Sequence, residues 1–231
     1  MKKQETSQPV IGAGVYTIPD AGKILGIPLH RMRRWLGGYL KDAERVLPLG
    51  ELQSWGQGQE RGFNFYTLIE LFSVFQFREQ GVALKTIREA RAELSDRLNS
   101  HYPFAHQGVV SDGKRLLYEL QEGTPEAMLE LGGTGQTAFR EIMEPFCHRL
   151  DFHTSTLLAE RYWPNGRKSS VVVDPHHSFG RPSISGTNIA TESINSLLSA
   201  GESVEDVAEM YGLEVNQVRE AKEFEHQLAA A

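Results

Sequence analysis

A histidine and three arginines stand together at His30, Arg31, Arg33 and Arg34. Guanidinium groups reach both guanine edges and phosphates, so on a short helix this set suits contact with a DNA major groove. Solvated helix faces also carry charge runs, and bihelical units also serve as plain scaffolding. Gln57, Gln59 and Arg61 follow in a polar, glycine-rich stretch, where the tip of a β-ribbon would track phosphates, and Lys23 precedes them all. The expected division is His30, Arg31, Arg33 and Arg34 toward base edges, with Lys23, Gln57, Gln59 and Arg61 on phosphates.

Other constellations carry less. His148 and His153 have the spacing of zinc-site histidines, with Cys147 beside them and His176-His177 further on. The paired cysteines that should precede them are missing, so surface or half-buried roles are the better reading. The sequence has no Gly-x-Ser-x-Gly elbow, Walker loop or His-Glu-x-x-His. Gly132-Gly133-Thr134-Gly135 lacks the lysine and preceding strand of a phosphate loop. No catalytic residues, metal or cofactor are expected.

The elements that must position these side chains belong to a chain of 231 residues, room for one large domain or two small ones. Apolar residues make up 40% and charged residues 23%, which suits a globular protein with a real core. A single cysteine, Cys147, excludes an internal disulfide and fits a reducing cytoplasm. The sequence has neither a membrane-length apolar run nor the apolar core of a signal peptide in Met1–Pro9.

The net charge of −6 argues against a nucleic-acid partner until its distribution is read. Lys+Arg against Asp+Glu count 14 to 11 over residues 1–100, 7 to 9 over 101–170, and 3 to 10 over 171–231. A basic front and an acidic rear predict two parts with different partners.

Residues 1–14 read as a flexible leader. Thr17 can cap a helix with Pro19 in its first turn and Gly26 at its end. A second helix with Leu29, Met32 and Leu36 on one face runs to Gly37-Gly38, completing a helix-turn-helix pattern. A β-ribbon is expected over 47–62, then an apolar helix from Leu68 to Phe77 and an amphipathic one from Val82 to Leu98. Lys85, Arg88, Arg91 and Arg97 are assigned to the polar sides of that last helix.

Residues 100–170 form a mixed middle segment. Hairpins are expected around Asp112-Gly113 and Asn165-Gly166, with a helix from Thr137 to Glu144 between them. The stretch from Asp174 to Asn188 reads as loop. Helices follow from Thr191, Ser203 and Val215, a second helix-turn-helix-shaped unit within an acidic domain over 171–231. In its last helix Glu220, Glu223 and Glu225 outnumber Arg219 and Lys222, which favours a protein-binding or self-association surface over DNA.

Two resemblances add to this reading. Residues 16–94 resemble MerR-type winged helices, through Tyr16-Thr17-Ile18, Ala21, Leu25-Gly26-Ile27, Arg33-Arg34-Trp35, Phe65-Tyr66, Phe77-Arg78-Glu79-Gln80-Gly81-Val82 and Ile87-Arg88. Residues 174–228 resemble the short antitoxin domain of VapB-type proteins. The matching pieces are Asp174-Pro175, Phe179-Gly180-Arg181-Pro182-Ser183-Ile184, Gly186-Thr187, Ile189, Ala200-Gly201-Glu202-Ser203, Val207-Ala208 and Tyr211. Asn188 stands where many relatives hold an arginine.

The resemblance implies a mainly α fold. A MerR-like winged helix-turn-helix over 15–99 would lead through the middle segment into a homeodomain-like helical antitoxin domain. It also implies a homodimeric, cytoplasmic antitoxin that neutralises a PIN-domain ribonuclease toxin and binds operator DNA to repress its own operon. The rival readings are a stand-alone MerR-like regulator, with a ligand pocket lined by Phe104, Tyr118, Phe139 and Trp163, and a protein-interaction scaffold.

Overall fold

The computed structural model describes residues 13–37, 39–41, 44–46, 49, 52–56, 61–79, 81–107, 146 and 148–230. The expected hairpin at Asp112-Gly113, the helix Thr137–Glu144 and the ribbon tip with Gln57 and Gln59 lie outside the described residues, as do Cys147, Tyr118 and Phe139.

The order of elements is β1 (Tyr16–Thr17), α1 (Ile18–Leu25), α2 (Leu29–Gly37), β2 (Tyr39–Lys41), β3 (Glu44–Val46), β4 (Ser54–Trp55), β5 (Gly62–Phe63), α3 (Phe65–Glu79) and α4 (Leu84–Leu98). After a single turn of 3-10 helix at Pro103–Ala105 come β6 (Leu150–Phe152), β7 (Ala159–Tyr162), β8 (Val171–Val173), β9 (Pro182–Ile184), α5 (Thr191–Ser199), α6 (Val204–Tyr211) and α7 (Val215–Ala230). Helices dominate. The strands nonetheless form antiparallel sheets of order β1-β5-β4, β2-β3 and β6-β7-β8-β9, so the described chain is mixed α and β rather than simply α.

Local chemistry explains the helix boundaries. Thr17 accepts a hydrogen bond from the Asp20 amide while the Asp20 carboxylate accepts from the Thr17 amide, a complete capping box at the head of α1. Gly26, left-handed at φ 64°, ends that helix. The α1–α2 turn depends on a second glycine. A β-carbon on Gly22 would lie 3.1 Å from the Ile27 carbonyl oxygen and against the Leu29 side chain, so a larger residue would push α2 back from α1 by a few tenths of an ångström or force Leu29 to turn aside. Ser203 caps α6 by accepting from the Asp206 amide, and Gly212 ends it.

α3 is buried on nearly every side, with Phe65, Leu68, Ile69, Leu71, Phe72, Val74 and Phe77 all in the core. Full burial of each such side chain is worth about 1.5–3 kcal/mol, which makes α3 the axis of the fold. The same core takes in Met32, Trp35 and Leu36 from α2, Ile87, Ala90 and Leu94 from α4, and Leu150, Tyr162 and Val173 from the four-stranded sheet. Phe72 meets Phe146 at 4.7 Å and Tyr162 at 5.6 Å between ring centroids. A second core joins Ile184, Ile194, Val207, Ala208, Val218 and Ala221.

Two expectations are corrected. Arg91, assigned to a polar helix side, is buried: its Nε donates to Glu70 Oε2 at 2.5 Å, and Glu70 has no exposed surface. A carboxylate in the middle of an apolar helix needs a buried cation, and Arg91 supplies it. The loop expected over 174–188 contains β9, which pairs with β8 in the register Val171↔Ile184 and Val173↔Pro182. Pro182 opens that strand at the edge of its sheet, where a missing amide donor is tolerated. The β2–β3 hairpin falls where no element was expected, because its connecting Asp42-Ala43 has no glycine to signal a turn.

Candidate functional site

The exposed face of α2 is set by helical spacing. Met32, Trp35 and Leu36 point into the core, which turns His30, Arg33 and Arg34 outward together. These three, and Lys23 on α1, are exposed, and their side chains form no hydrogen bond or ion pair with any described residue. Arg31 is held differently. Its guanidinium donates to Glu79 Oε1 at 2.5 Å and sits 5.7 Å above the centre of the Phe75 ring. Arg61 donates to the Leu36 carbonyl, binding the end of α2 to the base of the β4–β5 ribbon. Of the eight expected DNA contacts, four are thus open to solvent, two are engaged within the fold, and Gln57 and Gln59 fall outside the described residues.

A second cluster centres on Asp174 just after β8, joining Asp174 and His176-His177, which the sequence reading named separately, with Arg161. The Asp174 carboxylate accepts from the His176 amide at 2.9 Å and from Arg161 Nε at 3.0 Å, and lies 3.1 Å from His177 Nδ1. Burial works against its charge, yet the His176 amide, His177 and Arg161 outweigh it and hold the carboxyl below its usual range. Tyr16 is fully buried next to this cluster. Burial first and the Asp174 charge second push its hydroxyl well above the ordinary phenol range.

Between Asp174 and β9 the chain makes a tight turn over β1. The Val15 amide donates to the Phe179 carbonyl at 3.2 Å, and the Phe65 amide to the Ala13 carbonyl at 2.8 Å. The end of the expected leader is therefore clamped on two sides. Asn188 holds the turn from below: its Oδ1 accepts from the Ser178 amide and its carbonyl from the Ser178 hydroxyl at 2.7 Å. Phe179 itself is 79% exposed.

The rear helices use their acids more inwardly than a charge count implies. Glu220 Oε2 accepts from the Ser170 amide at 2.6 Å and from the Ser169 hydroxyl, while Glu225 accepts from the Thr191 hydroxyl. An open cleft of about 600 Å³ remains along α7, lined by Val204, Arg219, Lys222, Glu223, His226 and Gln227. Neither Phe104 nor Trp163 lines it: Phe104 is buried against Phe77, and Trp163 Nε1 donates to Asp151. Of the histidines weighed for a metal, His148 is exposed and His153 Nδ1 accepts from the Ser155 amide within a turn. Among the described residues, no helix is long and apolar enough to cross a membrane.

Against known proteins, a family model described as a protein of unknown function, DUF433, matches residues 171–224. The Mycobacterium tuberculosis protein named "Putative antitoxin VapB45" is 26% identical over 220 residues, covering 90% of this chain and 92% of that protein. "Uncharacterized protein Rv2308" of the same organism is 24% identical over 221 residues, covering 91% of this chain and 89% of that one. The X-ray crystal structure of Rv2018 from Mycobacterium tuberculosis shares the fold with a TM-score of 0.71 at 24% identity, over 92% of this chain and 98% of that chain. The chain is thus similar, over 90% of its length, to a protein named as an antitoxin.

Proposed function

We propose that the chain is the non-enzymatic antitoxin of a type II toxin–antitoxin pair, a cytoplasmic homodimer that neutralises a PIN-domain ribonuclease and represses its own operon. The observation that carries this reading is the similarity to VapB45, which runs through front and rear alike rather than through one domain. The antitoxin name implies a toxin partner. The PIN domain and the operator come from the resemblance read in the sequence.

The geometry supports the DNA-binding half of the proposal. Residues 15–99 act as a winged helix-turn-helix, α2 as its recognition helix and β4–β5 as its wing. His30, Arg33 and Arg34 then approach base edges, and Lys23 a phosphate, with Gln57 and Gln59 kept as further phosphate contacts expected from the sequence. Arg31 and Arg61, already bonded to Glu79 and the Leu36 carbonyl, set the pose of α2. Residues 171–231, with helices α5–α7 in a homeodomain-like arrangement, face a protein.

The test is recovery of the tagged chain from its own host. The expected result is a PIN-domain ribonuclease near one-to-one, its RNA cleavage suppressed while bound. The purified chain should also retard its own promoter DNA, and Arg33→Ala with Arg34→Ala should each cost about 1–3 kcal/mol of that affinity. Promoter binding without a ribonuclease would make the chain a stand-alone regulator. Binding to neither, with salt-insensitive elution, would make it a scaffold.

A further inference from the structure

We propose that Glu79 sets the sequence selectivity of the DNA-binding face, by cancelling the charge of Arg31 and so limiting how firmly α2 holds duplexes of any sequence. This rests on the DNA-binding half of the antitoxin reading. Among the described residues, Arg31 is the one α2 arginine with an acidic partner. Its guanidinium donates to Glu79 Oε1 at 2.5 Å, while Arg33 and Arg34 face solvent. Arg31 stands one helical turn before Arg34, so the paired cation lies at the edge of the open set.

The acid comes from another helix. Glu79 is the last residue of α3, and Phe75, one turn before it, lies under the same guanidinium at 5.7 Å from its ring centre. The cation beside Glu79 in sequence, Arg78, is turned to the Val82 carbonyl instead. The Glu79 carboxylate thus has Arg31 as its partner among the described residues. The two side chains are 41% and 48% exposed, and an ion pair so open to water adds little to stability. Met32, Trp35 and Leu36 anchor α2 in the core, Arg61 holds its end, and Phe75 keeps the Arg31 guanidinium in place. What the carboxylate adds to that pose is its charge.

That charge matters most toward DNA. Sequence-independent binding comes almost wholly from cations that release counterions at phosphates, whereas operator binding also draws on base contacts. A cation already matched by a carboxylate releases no counterion, and the carboxylate itself repels the backbone. Cancelling Arg31 therefore weakens the hold on non-operator duplexes proportionately more than on an operator whose bases meet His30, Arg33 and Arg34. The recognition helix carries less effective charge than its sequence counts.

The experiment compares the full-length wild type with Glu79→Gln, which keeps the shape and loses the charge, and Glu79→Asp, which keeps the charge. Each is titrated against its promoter duplex and a scrambled duplex of equal length and composition, over a series of salt concentrations, with thermal melts alongside. For Glu79→Gln, scrambled-duplex affinity should rise about fivefold at low salt, promoter affinity should rise less, and the scrambled-duplex salt slope should steepen by about 0.9. Glu79→Asp should stay within about twofold of wild type on both duplexes, and neither variant should melt appreciably lower. Weaker promoter binding by Glu79→Gln would make the carboxylate a pose-setting group and overturn the proposal. Equal gains on both duplexes, or an unchanged salt slope, would overturn it as well. Glu79→Asp behaving like Glu79→Gln would assign the effect to shape, and a Glu79→Gln chain that no longer folds would assign the carboxylate to stability; either overturns it. In all these cases the wild type still binds its promoter and the DNA-binding reading stands. A wild type that retards no promoter DNA would overturn both.

Discussion

The α-carbon of Gly180 packs directly on the ring of Tyr16: a β-carbon added at Gly180 would lie 2.8 Å from Tyr16 Cζ and nearer still to its hydroxyl. Tyr16 is the first residue of β1 and leads straight into the capping box of α1, while Gly180 ends the turn that presents Phe179. One close contact therefore ties the helix pair of the front to the turn between β8 and β9. The Val15–Phe179 backbone bond reinforces it.

Gly180→Ala should destabilise the chain by about 3 kcal/mol, combining a left-handed β-carbon with overpacking against Tyr16. Urea denaturation measures this. Tyr16→Phe should relieve part of the overlap, so the double variant should show a favourable coupling of about 0.5 kcal/mol or more. A cost below about 1 kcal/mol for Gly180→Ala would mean that the turn lifts away from β1 without penalty.

Tyr16→Phe alone should stabilise the chain. The hydroxyl is fully buried and has no hydrogen-bond partner among the described residues, while Asp174 lies close enough to disfavour its ionisation. Leaving a buried hydroxyl unpaired costs about 1–3 kcal/mol, and removing it keeps the ring that packs on Phe63. The expected gain is about 1 kcal/mol, read by chemical denaturation. A loss of stability would show that the hydroxyl is bonded after all.

Much of this framework was legible because it is local. Thr17 with Asp20, Gly26, Ser203 with Asp206, and Gly212 each act within a few positions, and each ends or starts a helix where the sequence places it. His30, Arg33 and Arg34 were legible for the same reason, since helical spacing puts them opposite Met32 and Trp35. What escaped was long-range. Arg31 finds Glu79 across 48 positions, Arg61 the Leu36 carbonyl across 25, and Glu70 finds Arg91 across 21. A charge count over α7 likewise misses that Glu220 and Glu225 turn inward to serines and a threonine. The left-handed turn at Ser178, Phe179 and Gly180 had a trace in the sequence, an aromatic before a glycine in a polar stretch, but three consecutive positive φ values are visible only in the backbone.

Glu70→Gln should be among the most damaging conservative changes in the chain. Burial pushes the Glu70 carboxyl up, against the pull of Arg91 and the Phe104 amide, which donates to Oε1 at 2.8 Å. Glutamine preserves the shape but leaves the Arg91 guanidinium buried without its counter-charge. Its remaining bond to the His101 carbonyl, at 2.8 Å, cannot replace that charge. Breaking a buried pair by removing one partner costs about 3–5 kcal/mol. Denaturation of the variant checks this, and a loss under about 1 kcal/mol would show that Arg91 escapes to solvent when released.

Asp174→Asn should separate the pH dependence of the junction from the rest of the chain. The carboxyl is held below its ordinary value of 3.8, so the native state binds its proton less tightly than the unfolded state does. Its contribution is therefore fully present above the ordinary value and is lost as pH falls below that through the native value. The groups facing it are the Arg161 guanidinium from β7 and the imidazoles of His176 and His177, with the Tyr16 hydroxyl on the β1 side. At pH 7 the variant should lose about 2 kcal/mol, the scale of hydrogen bonds to a charged group. As acid neutralises the carboxylate in the wild type, the two stability curves should converge once pH has fallen through the lowered native value. Denaturation across that range decides the matter: a gap that stays constant into strong acid would assign the loss to packing rather than to the charge of Asp174.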